Sequence, residues 1–205
     1  MSETLIKICG LSRQADIDAV NETLPDFAGF VFYPKSKRFI TESQAKALSH
    51  SLNKRICPVG VFVDADPARI IRLSRAGAIG IAQLHGHEDT DYIRSLKNAV
   101  PELIIWKAVL YREKDDLKNA RALGADRLLL DHGYGAGKRF DWSLPMPEDQ
   151  NFILAGGLTP ENIPEAISRF HPWAVDLSSG VETDGVKDKS KIKAAVTAAR
   201  NTKRI

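Results

Sequence analysis

The fold class is decided by the stretch Leu5-Ile6-Lys7-Ile8-Cys9-Gly10-Leu11-Ser12, which contains the first strand of the chain and its first turn. The apolar residues up to Ile8 predict a strand, and the glycine and serine after Cys9 predict a turn that leads into a helix. An open doubly wound sheet normally carries a glycine-rich phosphate loop at this turn. The sequence has Cys-Gly-Leu-Ser there, which argues against that architecture.

Downstream, short apolar runs alternate with longer amphipathic segments. The predicted strands are Leu5–Cys9, Phe27–Phe32, Pro58–Val63, Ile79–Leu84, Leu103–Val109, Arg127–Asp131, Phe152–Ala155 and Trp173–Leu177. The predicted helices are Ser12–Leu24 with Ser12 as N-cap, Thr41–Asn53, one from Asp66 with Pro67 first, Asp89–Ala99, Glu113–Leu123, one capped by Thr159 with Pro160 first, and Lys189–Arg200. Strands that alternate with helices imply a parallel sheet. About eight such units predict an α/β fold, a single-domain (β/α)8 TIM barrel over residues 1–205.

Composition excludes several classes of protein. The chain has 205 residues, and its 29 Lys and Arg against 26 Asp and Glu give a net charge of +3 that is scattered along the sequence. Nucleic-acid binding would require clustered basic residues. The two cysteines, Cys9 and Cys57, lack the spacing of a disulfide scaffold or a zinc site. With no signal peptide and no apolar run long enough to span a membrane, we expect a soluble cytoplasmic protein.

Polar and glycine-rich positions gather where the predicted strands end, which is where barrels carry their active sites. These positions are Cys9, Arg38, Gln83, His85, Asp131, Gly156, Gly157, Asp176, Ser178, Ser179 and Gly180. Side chains of a strand alternate between its faces, so Lys7 and Cys9 share one face and are predicted to point into the barrel. Lys7 would either lower the pKa of the Cys9 thiol or pair with a carboxylate such as Asp176.

Two features of this rim predict chemistry on a phosphorylated substrate. Asp131 ends its strand across the barrel from Cys9, so one group could donate a proton while the other withdraws one. Gly156-Gly157 and Ser178-Ser179-Gly180 follow adjacent strands and offer backbone N–H groups and hydroxyls to a dianion.

The same residues could also have purely structural roles. Asp131 could cap the loop that follows it, and the glycines could serve only tight turns. Arg38 lies in a basic run that could be solvated surface charge. Gln83 and His85 share one face of their strand, and His85 could be a structural residue or part of the pocket lining.

The chain resembles phosphoribosylanthranilate isomerase, a (β/α)8-barrel family of tryptophan biosynthesis, over essentially its whole length. The resemblance rests on Lys7-Ile8-Cys9-Gly10, Gly29-Phe30-Val31-Phe32, Ser36-Lys37-Arg38, Val59-Gly60-Val61-Phe62, Gln83-Leu84-His85-Gly86, Leu130-Asp131, Gly137-Lys138-Arg139-Phe140-Asp141-Trp142, Leu154-Ala155-Gly156-Gly157-Leu158 and Asp176-Leu177-Ser178-Ser179-Gly180-Val181-Glu182. One stretch departs from the family pattern. Where the family has Gly-Gly-Thr-Gly before Phe-Asp-Trp, this chain has Tyr134-Gly135-Ala136-Gly137.

The resemblance implies an Amadori rearrangement that needs neither cofactor nor metal. It puts Cys9 at the general base, Asp131 at the general acid, Arg38 at the group that binds the anthranilate carboxylate, and the last two loops at the phosphate site. The expected partner is a small phosphosugar, with no nucleic acid or membrane, and the protein would be a monomer or a homodimer.

Three other functions are alternatives to phosphoribosylanthranilate isomerase activity. The related phosphoribosyl isomerase of histidine biosynthesis uses carboxylates at both catalytic positions, so Cys9 speaks against it. The chain could also be a phosphosugar-binding barrel without catalysis. A thiol redox protein would want a resolving cysteine, and Cys57 is predicted at the opposite end of the barrel from Cys9.

Overall fold

A computed structural model describes residues 3–131 and 150–203 of the chain. Within these ranges eight parallel strands form a closed barrel in chain order, because the eighth strand pairs with the first. The barrel strands are β1 (Leu5–Cys9), β2 (Phe27–Val31), β3 (Cys57–Phe62), β4 (Ile81–Leu84), β5 (Ile104–Leu110), β6 (Arg127–Asp131), β7 (Phe152–Leu154) and β8 (Ala174–Leu177). The predicted (β/α)8 architecture is confirmed.

Helices and a small hairpin complete the described part of the chain. The helices are α1 (Gln14–Thr23), α2 (Glu42–His50), α3 (Pro67–Arg75), α4 (Thr90–Ala99), α5 (Lys114–Ala122), α6 (Ile163–Phe170) and α7 (Lys189–Asn201). After β8 come a 3-10 turn (Ser179–Val181) and an antiparallel hairpin of β9 (Glu182–Thr183) and β10 (Val186–Lys187). None of the described helices is both long and apolar enough to cross a membrane.

The barrel interior is packed with apolar side chains at its lower level and polar ones above. Phe27, Val59, Trp106 and Ile153 belong to the interior cluster, and the rings of Phe27 and Trp106 meet edge to face at 5.0 Å. Ile6 and Ile8 belong to the separate cluster that includes the buried faces of the helices. Since strand residues alternate faces, this packing confirms that the odd-numbered residues of β1 point inward.

Two helix starts were predicted correctly from their capping residues. Thr41 precedes α2 and accepts a hydrogen bond from the Gln44 backbone at 3.3 Å. Asp66 precedes α3 and accepts one from the Ala68 backbone at 2.9 Å, with Pro67 at the first helical position. A side-chain acceptor satisfies an N–H group that would otherwise lack a partner in the first turn, which is why these helices begin where they do.

Two other helix starts were predicted too early. The first helix begins at Gln14 and not at Ser12, because the Asp16 carboxylate accepts hydrogen bonds from the backbones of Ser12 and Arg13 at 2.9 and 3.0 Å and holds them outside the helix. The sixth begins at Ile163 and not at Thr159.

Some predictions lie outside the described residues. They are the glycine-rich stretch Gly133–Gly137, most of the irregular region predicted around Trp142–Gln150, and the departure at Tyr134-Gly135-Ala136-Gly137. Elsewhere the predicted strands agree with the observed ones except at their ends, where they differ by one or two residues.

Candidate active site

Cys9 lies at the carboxyl end of β1 with only 8% of its surface exposed. Its neighbour across the sheet is Gly29 of β2. A methyl group at position 29 would lie 2.8 Å from the Cys9 Sγ and 2.9 Å from its Cα, so the missing side chain makes room for the thiol. On the other side, the Ser178 hydroxyl donates a hydrogen bond to the Cys9 carbonyl at 3.1 Å. Cys9 is therefore contacted by β2 on one side and by the loop after β8 on the other.

Lys7 lies one level below Cys9 and pairs with Asp176 of β8. Its Nζ is 2.9 Å from both carboxylate oxygens, and the two residues are direct partners in the register of β1 and β8. The lysine side chain is fully buried and that of Asp176 is 9% exposed. Burial disfavours the ammonium group, but Asp176 and the nearby Cys9 outweigh this and raise the pKa of Lys7. The expected pairing of Lys7 with a barrel carboxylate is confirmed.

Lys7 also lowers the pKa of the Cys9 thiol, as expected, but the net shift of that pKa is upward. Burial raises the pKa of the Cys9 thiol more than Lys7 lowers it, and Asp176 adds to the increase while Lys187 opposes it. A buried thiol resists ionisation because the low-dielectric surroundings disfavour the thiolate. The ammonium groups limit this increase without reversing it.

Asp131 ends β6 and is almost completely buried, with 4% of its surface exposed. His85 approaches it from the end of β4, with Nε2 3.4 Å from the Asp131 Oδ2. Gln83, on the same face of β4, lies with its Nε2 3.4 Å from the His85 Nδ1. Gln83 and His85 share one face of β4, as predicted, and His85 lies beside the predicted acid.

Asp176 lies in the field of charged groups from both sides of the barrel. Burial raises the pKa of the Asp176 carboxyl, Lys7 and His85 oppose this, and Asp131 adds to it. Among the described residues, the buried Gln83 Oε1 and His85 Nε2 have no hydrogen-bond partner. Buried polar atoms are rarely left unpaired, so this side of the site is suited to a polar ligand.

The loops after β7 and β8 lie against each other. Gly156 and Gly157 have φ angles of 96° and 64°, the left-handed region that favours glycine. At Gly180 an added methyl group would collide with the backbone carbonyl of Leu158, so the two loops touch main chain to main chain. This contact brings Ser178, Ser179 and Gly180 next to the loop after β7, as a shared phosphate site would require.

Arg38 is not the solvated surface charge that the basic run allowed. Its side chain is 25% exposed, and its Nε and Nη2 donate to the two carboxylate oxygens of Glu182 at 2.6 and 2.8 Å. The hydrogen bonds to Glu182 raise the pKa of the Arg38 guanidinium, although burial opposes this. A side chain on Gly10, the residue after Cys9, would collide with the Arg38 side chain. Arg38 therefore lies over the end of β1, beside the thiol.

Three residues of the site were missed by sequence reasoning. Glu182 belongs to a motif that was recognised, but it was given no role. Lys187 is buried and donates to Glu182 and, at 2.9 Å, to the Ser178 carbonyl. The Asn162 side chain accepts from the Thr159 backbone at 2.8 Å and donates to the Gly157 carbonyl at 3.0 Å. Only a capping signal could have identified Asn162, and Thr159 was the stronger candidate for that role.

Cys57 begins β3, whereas Cys9 ends β1, so in a parallel barrel the two thiols lie at opposite ends, as predicted. Burial raises the pKa of the Cys57 thiol. Across the described ranges, no group of three or more His, Cys, Asp or Glu side chains could hold a metal ion.

Known proteins resemble the chain in both sequence and structure. A family model for N-(5′-phosphoribosyl)anthranilate isomerase matches residues 6–198. The isomerase of that name from Clostridium kluyveri is 42% identical over 201 residues, which cover 97% of this chain and 98% of the relative. The one from Endomicrobium trichonymphae is 44% identical over 202 residues, covering 96% and 98%.

Solved structures agree with the sequence relatives. The phosphoribosyl anthranilate isomerase of Thermotoga maritima superposes with a TM-score of 0.85 at 37% identity, covering 96% of this chain and 98% of its own. A structure of such an isomerase in complex with reduced 1-(o-carboxyphenylamino)-1-deoxyribulose 5-phosphate has a TM-score of 0.80 at 34% identity, covering 96% and 98%.

Proposed function

Because the chain belongs to the N-(5′-phosphoribosyl)anthranilate isomerase family, we propose that it catalyses the Amadori rearrangement of that substrate with Cys9 as base and Asp131 as acid. The product is 1-(2-carboxyphenylamino)-1-deoxyribulose 5-phosphate. The reaction is an internal redox isomerisation, since the aldose carbon is reduced as its neighbour is oxidised. It belongs to tryptophan biosynthesis.

The reaction runs in three proton-transfer steps. Asp131 protonates the furanose ring oxygen, and the ring opens to a Schiff base. The Cys9 thiolate then removes the proton from the second carbon of the sugar, and the electron pair moves to give an enolamine. The enolamine finally tautomerises to the ketone. Each catalytic group donates or accepts one proton, so general acid and base catalysis accounts for the chemistry.

One observation carries this assignment: Cys9 and Asp131 are both buried at the carboxyl ends of strands of one closed barrel, with the ion pair of Lys7 and Asp176 one level below Cys9. A base and an acid at the ends of β1 and β6 lie on different sides of that mouth, so a small sugar could be held between them. The Lys7 ammonium group beneath the thiol stabilises the thiolate, which burial would otherwise disfavour more strongly.

Binding would involve both ends of the substrate. We infer that the loops bearing Gly156-Gly157 and Ser178-Ser179-Gly180 take the phosphate and that Arg38 takes the ring carboxylate. Gln83 and His85 would contact the polar centre of the substrate beside Asp131, and Asp176 would orient Lys7 beneath it. Contacts remote from the reacting carbons can hold the sugar in a reactive orientation.

Assembly and location are further parts of the proposal. The chain would act as a monomer or a homodimer. One similar structure, of monomers generated from the dimeric isomerase of Thermotoga maritima, has a TM-score of 0.81 at 34% identity. The two free thiols fit a reducing compartment such as the cytoplasm.

The test is turnover of freshly prepared phosphoribosylanthranilate, followed by the loss of its fluorescence. We expect Cys9→Ser and Asp131→Asn each to lower kcat by about 10²–10⁴-fold, the usual contribution of a general acid or base. Cys57→Ser is the matched control, because it removes the other thiol at the far end of the barrel. A Cys9→Ser enzyme with a nearly normal rate would contradict the assignment of the base.

A further inference from the structure

We propose that Glu182 and Lys187 are positioning residues that connect the carboxylate-binding Arg38 to the phosphate loop at Ser178. This inference rests on the proposed function, in particular on Arg38 as the group that binds the ring carboxylate. Neither residue would touch the reacting carbons. Their contribution would be to hold the two ends of the substrate site at a fixed distance from each other.

Glu182 occupies only one edge of the Arg38 guanidinium. The carboxylate accepts from Nε and Nη2, the side edge of the planar guanidinium. In the described part of the chain no hydrogen bond involves Nη1, so the end edge, formed by Nη1 and the second hydrogen of Nη2, is available. A guanidinium can bind a carboxylate through two parallel hydrogen bonds at either edge. Glu182 thus orients Arg38 without occupying the edge that a substrate carboxylate would use.

Charge balance supports the same interpretation. Burial would raise the pKa of Glu182, but hydrogen bonds from Arg38 and Lys187 outweigh this and lower it, so the group is a carboxylate at neutral pH. Burial lowers the pKa of Lys187 although Glu182 opposes the decrease. Arg38 and Lys187 thus both donate to the one carboxylate of Glu182. A cluster of two basic groups and one acidic group suits a ligand that carries a carboxylate, such as the anthranilate ring.

Lys187 extends the cluster to the phosphate loop. Its side chain is 2% exposed, and its Nζ donates to Glu182 and, at 2.9 Å, to the Ser178 carbonyl. Ser178 in turn donates its hydroxyl to the Cys9 carbonyl. A buried ammonium group needs such partners to offset its loss of hydration. One lysine therefore connects the arginine clamp, the phosphate loop and the strand that carries the thiol.

The β9–β10 hairpin explains how these two residues stay together. Lys187 and Glu182 are direct partners in its register, and the turn between them contains Asp184 and Gly185 with φ angles of 53° and 78°. Outside the turn, the Thr183 hydroxyl donates to the Asp188 carboxylate at 2.8 Å. A backbone fixed in this way keeps the ammonium and carboxylate groups in contact, so a change at one residue should be felt at the other.

The experiment compares two inhibitors that differ only in the ring carboxylate. They are reduced 1-(2-carboxyphenylamino)-1-deoxyribulose 5-phosphate and the corresponding phenylamino compound without the carboxylate. For Glu182→Gln we expect the Kd of the carboxylated inhibitor to rise about tenfold or more, since a charge-assisted contact is weakened, and that of the other to change less than about twofold. The amide keeps the size of the side chain, so the variant should fold.

Lys187→Met tests the connection from its other side. It should weaken both inhibitors by about fivefold or more, because the phosphate loop loses a hydrogen bond at Ser178 and Glu182 loses its second cation. The double variant should weaken the carboxylated inhibitor by less than the product of the two single effects, since residues in one network are not additive. Controls are Glu22→Gln and Lys189→Met, which remove an exposed ion pair outside the cluster.

The outcomes separate this inference from the proposed function. If the Glu182→Gln variant binds both inhibitors more weakly by the same factor, or binds both as the wild type does, the positioning role is overturned. The isomerase assignment stays intact in either case. Wild-type enzyme that binds both inhibitors equally well would contradict the role of Arg38, and this inference would fall with it, whereas the roles of Cys9 and Asp131 depend on the turnover assay. Multiplicative effects in the double variant would contradict the connection through Lys187.

Discussion

At the scale of single residues, the ionisation of Cys9 is a balance between burial and nearby cations. Burial raises the pKa of the thiol, and Lys7 and Lys187 limit the increase. The thiol is therefore mostly protonated at neutral pH, and only the ionised fraction can remove a proton from the substrate.

This balance predicts how the rate depends on pH. Because the Cys9 pKa is raised and the thiolate is the reactive form, kcat/KM should still rise as the pH increases above about 8.5, the ordinary value for a thiol. Lys7→Met should move this rising limb to higher pH, because the cation that most favours the thiolate is removed. Stopped-flow or steady-state assays from pH 6 to pH 10 measure this rising limb in both the wild type and the variant.

Lys189→Met is the control for that experiment, because its ammonium lies on the exposed surface beside Glu22. It should leave the rising limb in place. A profile that is flat from pH 7 to pH 10 in the wild type would show that the thiol does not control the rate. An unchanged limb in Lys7→Met would leave Lys7 only its role as the partner of Asp176.

At the scale of elements, the phosphate site depends on how α6 begins. The Asn162 side chain bridges the Thr159 backbone and the Gly157 carbonyl, which closes the loop after β7 into one conformation. That loop then lies against Gly180 of the loop after β8. The proposed phosphate site is thus built from backbone groups that a single amide side chain holds in place.

Asn162→Ala should loosen this site without touching the catalytic residues. Loss of two hydrogen bonds should raise KM for the substrate by about fivefold or more, with kcat changed less than about twofold. Competitive inhibition by inorganic phosphate should weaken in parallel. Asn21→Ala is a matched control, since Asn21 also bridges two backbone groups, at Ser51 and Asn53, but lies on α1. An Asn162 variant with unchanged KM would show that the loop holds its shape unaided.

At the scale of the whole molecule, the barrel closes between β1 and β8, where Lys7 meets Asp176. Removal of one partner of a buried ion pair leaves the other charge unpaired, which typically costs about 3–5 kcal/mol. We expect Lys7→Met to lower the free energy of unfolding by roughly that amount. Replacing both residues, as Lys7→Met with Asp176→Leu, should cost less than the single change.

Urea denaturation measures these differences if the slope of the transition stays constant. The exposed pair of Lys189 and Glu22 is the comparison, and its loss should change stability by less than about 1 kcal/mol. A double variant whose loss equals the sum of the two single losses would show that Lys7 and Asp176 do not interact energetically.

Much of the fold follows from local sequence patterns that do not depend on tertiary contacts. The alternation of short apolar runs with amphipathic segments predicts the barrel, and the two-residue period of β1 turns Lys7 and Cys9 to one face. Thr41 and Asp66 predict their helix starts because a cap acts within a few residues. The starts of the first and sixth helices were misplaced. The side chains of Asp16 and Asn162 accept hydrogen bonds from backbone groups that precede them, and these bonds compete with the capping predicted at Ser12 and Thr159.

The sequence by itself therefore determined the barrel, the strand ends that carry chemistry, and the positions of Cys9 and Asp131. Only the tertiary structure decided their surroundings: the partner of Lys7 is 169 residues away, and that of Arg38 is 144 residues away. Contacts between distant residues leave no period in the sequence, so Glu182 was given no role and Lys187 was missed. The raised pKa of Cys9 has the same origin, because burial is a property of the closed barrel and of no single strand.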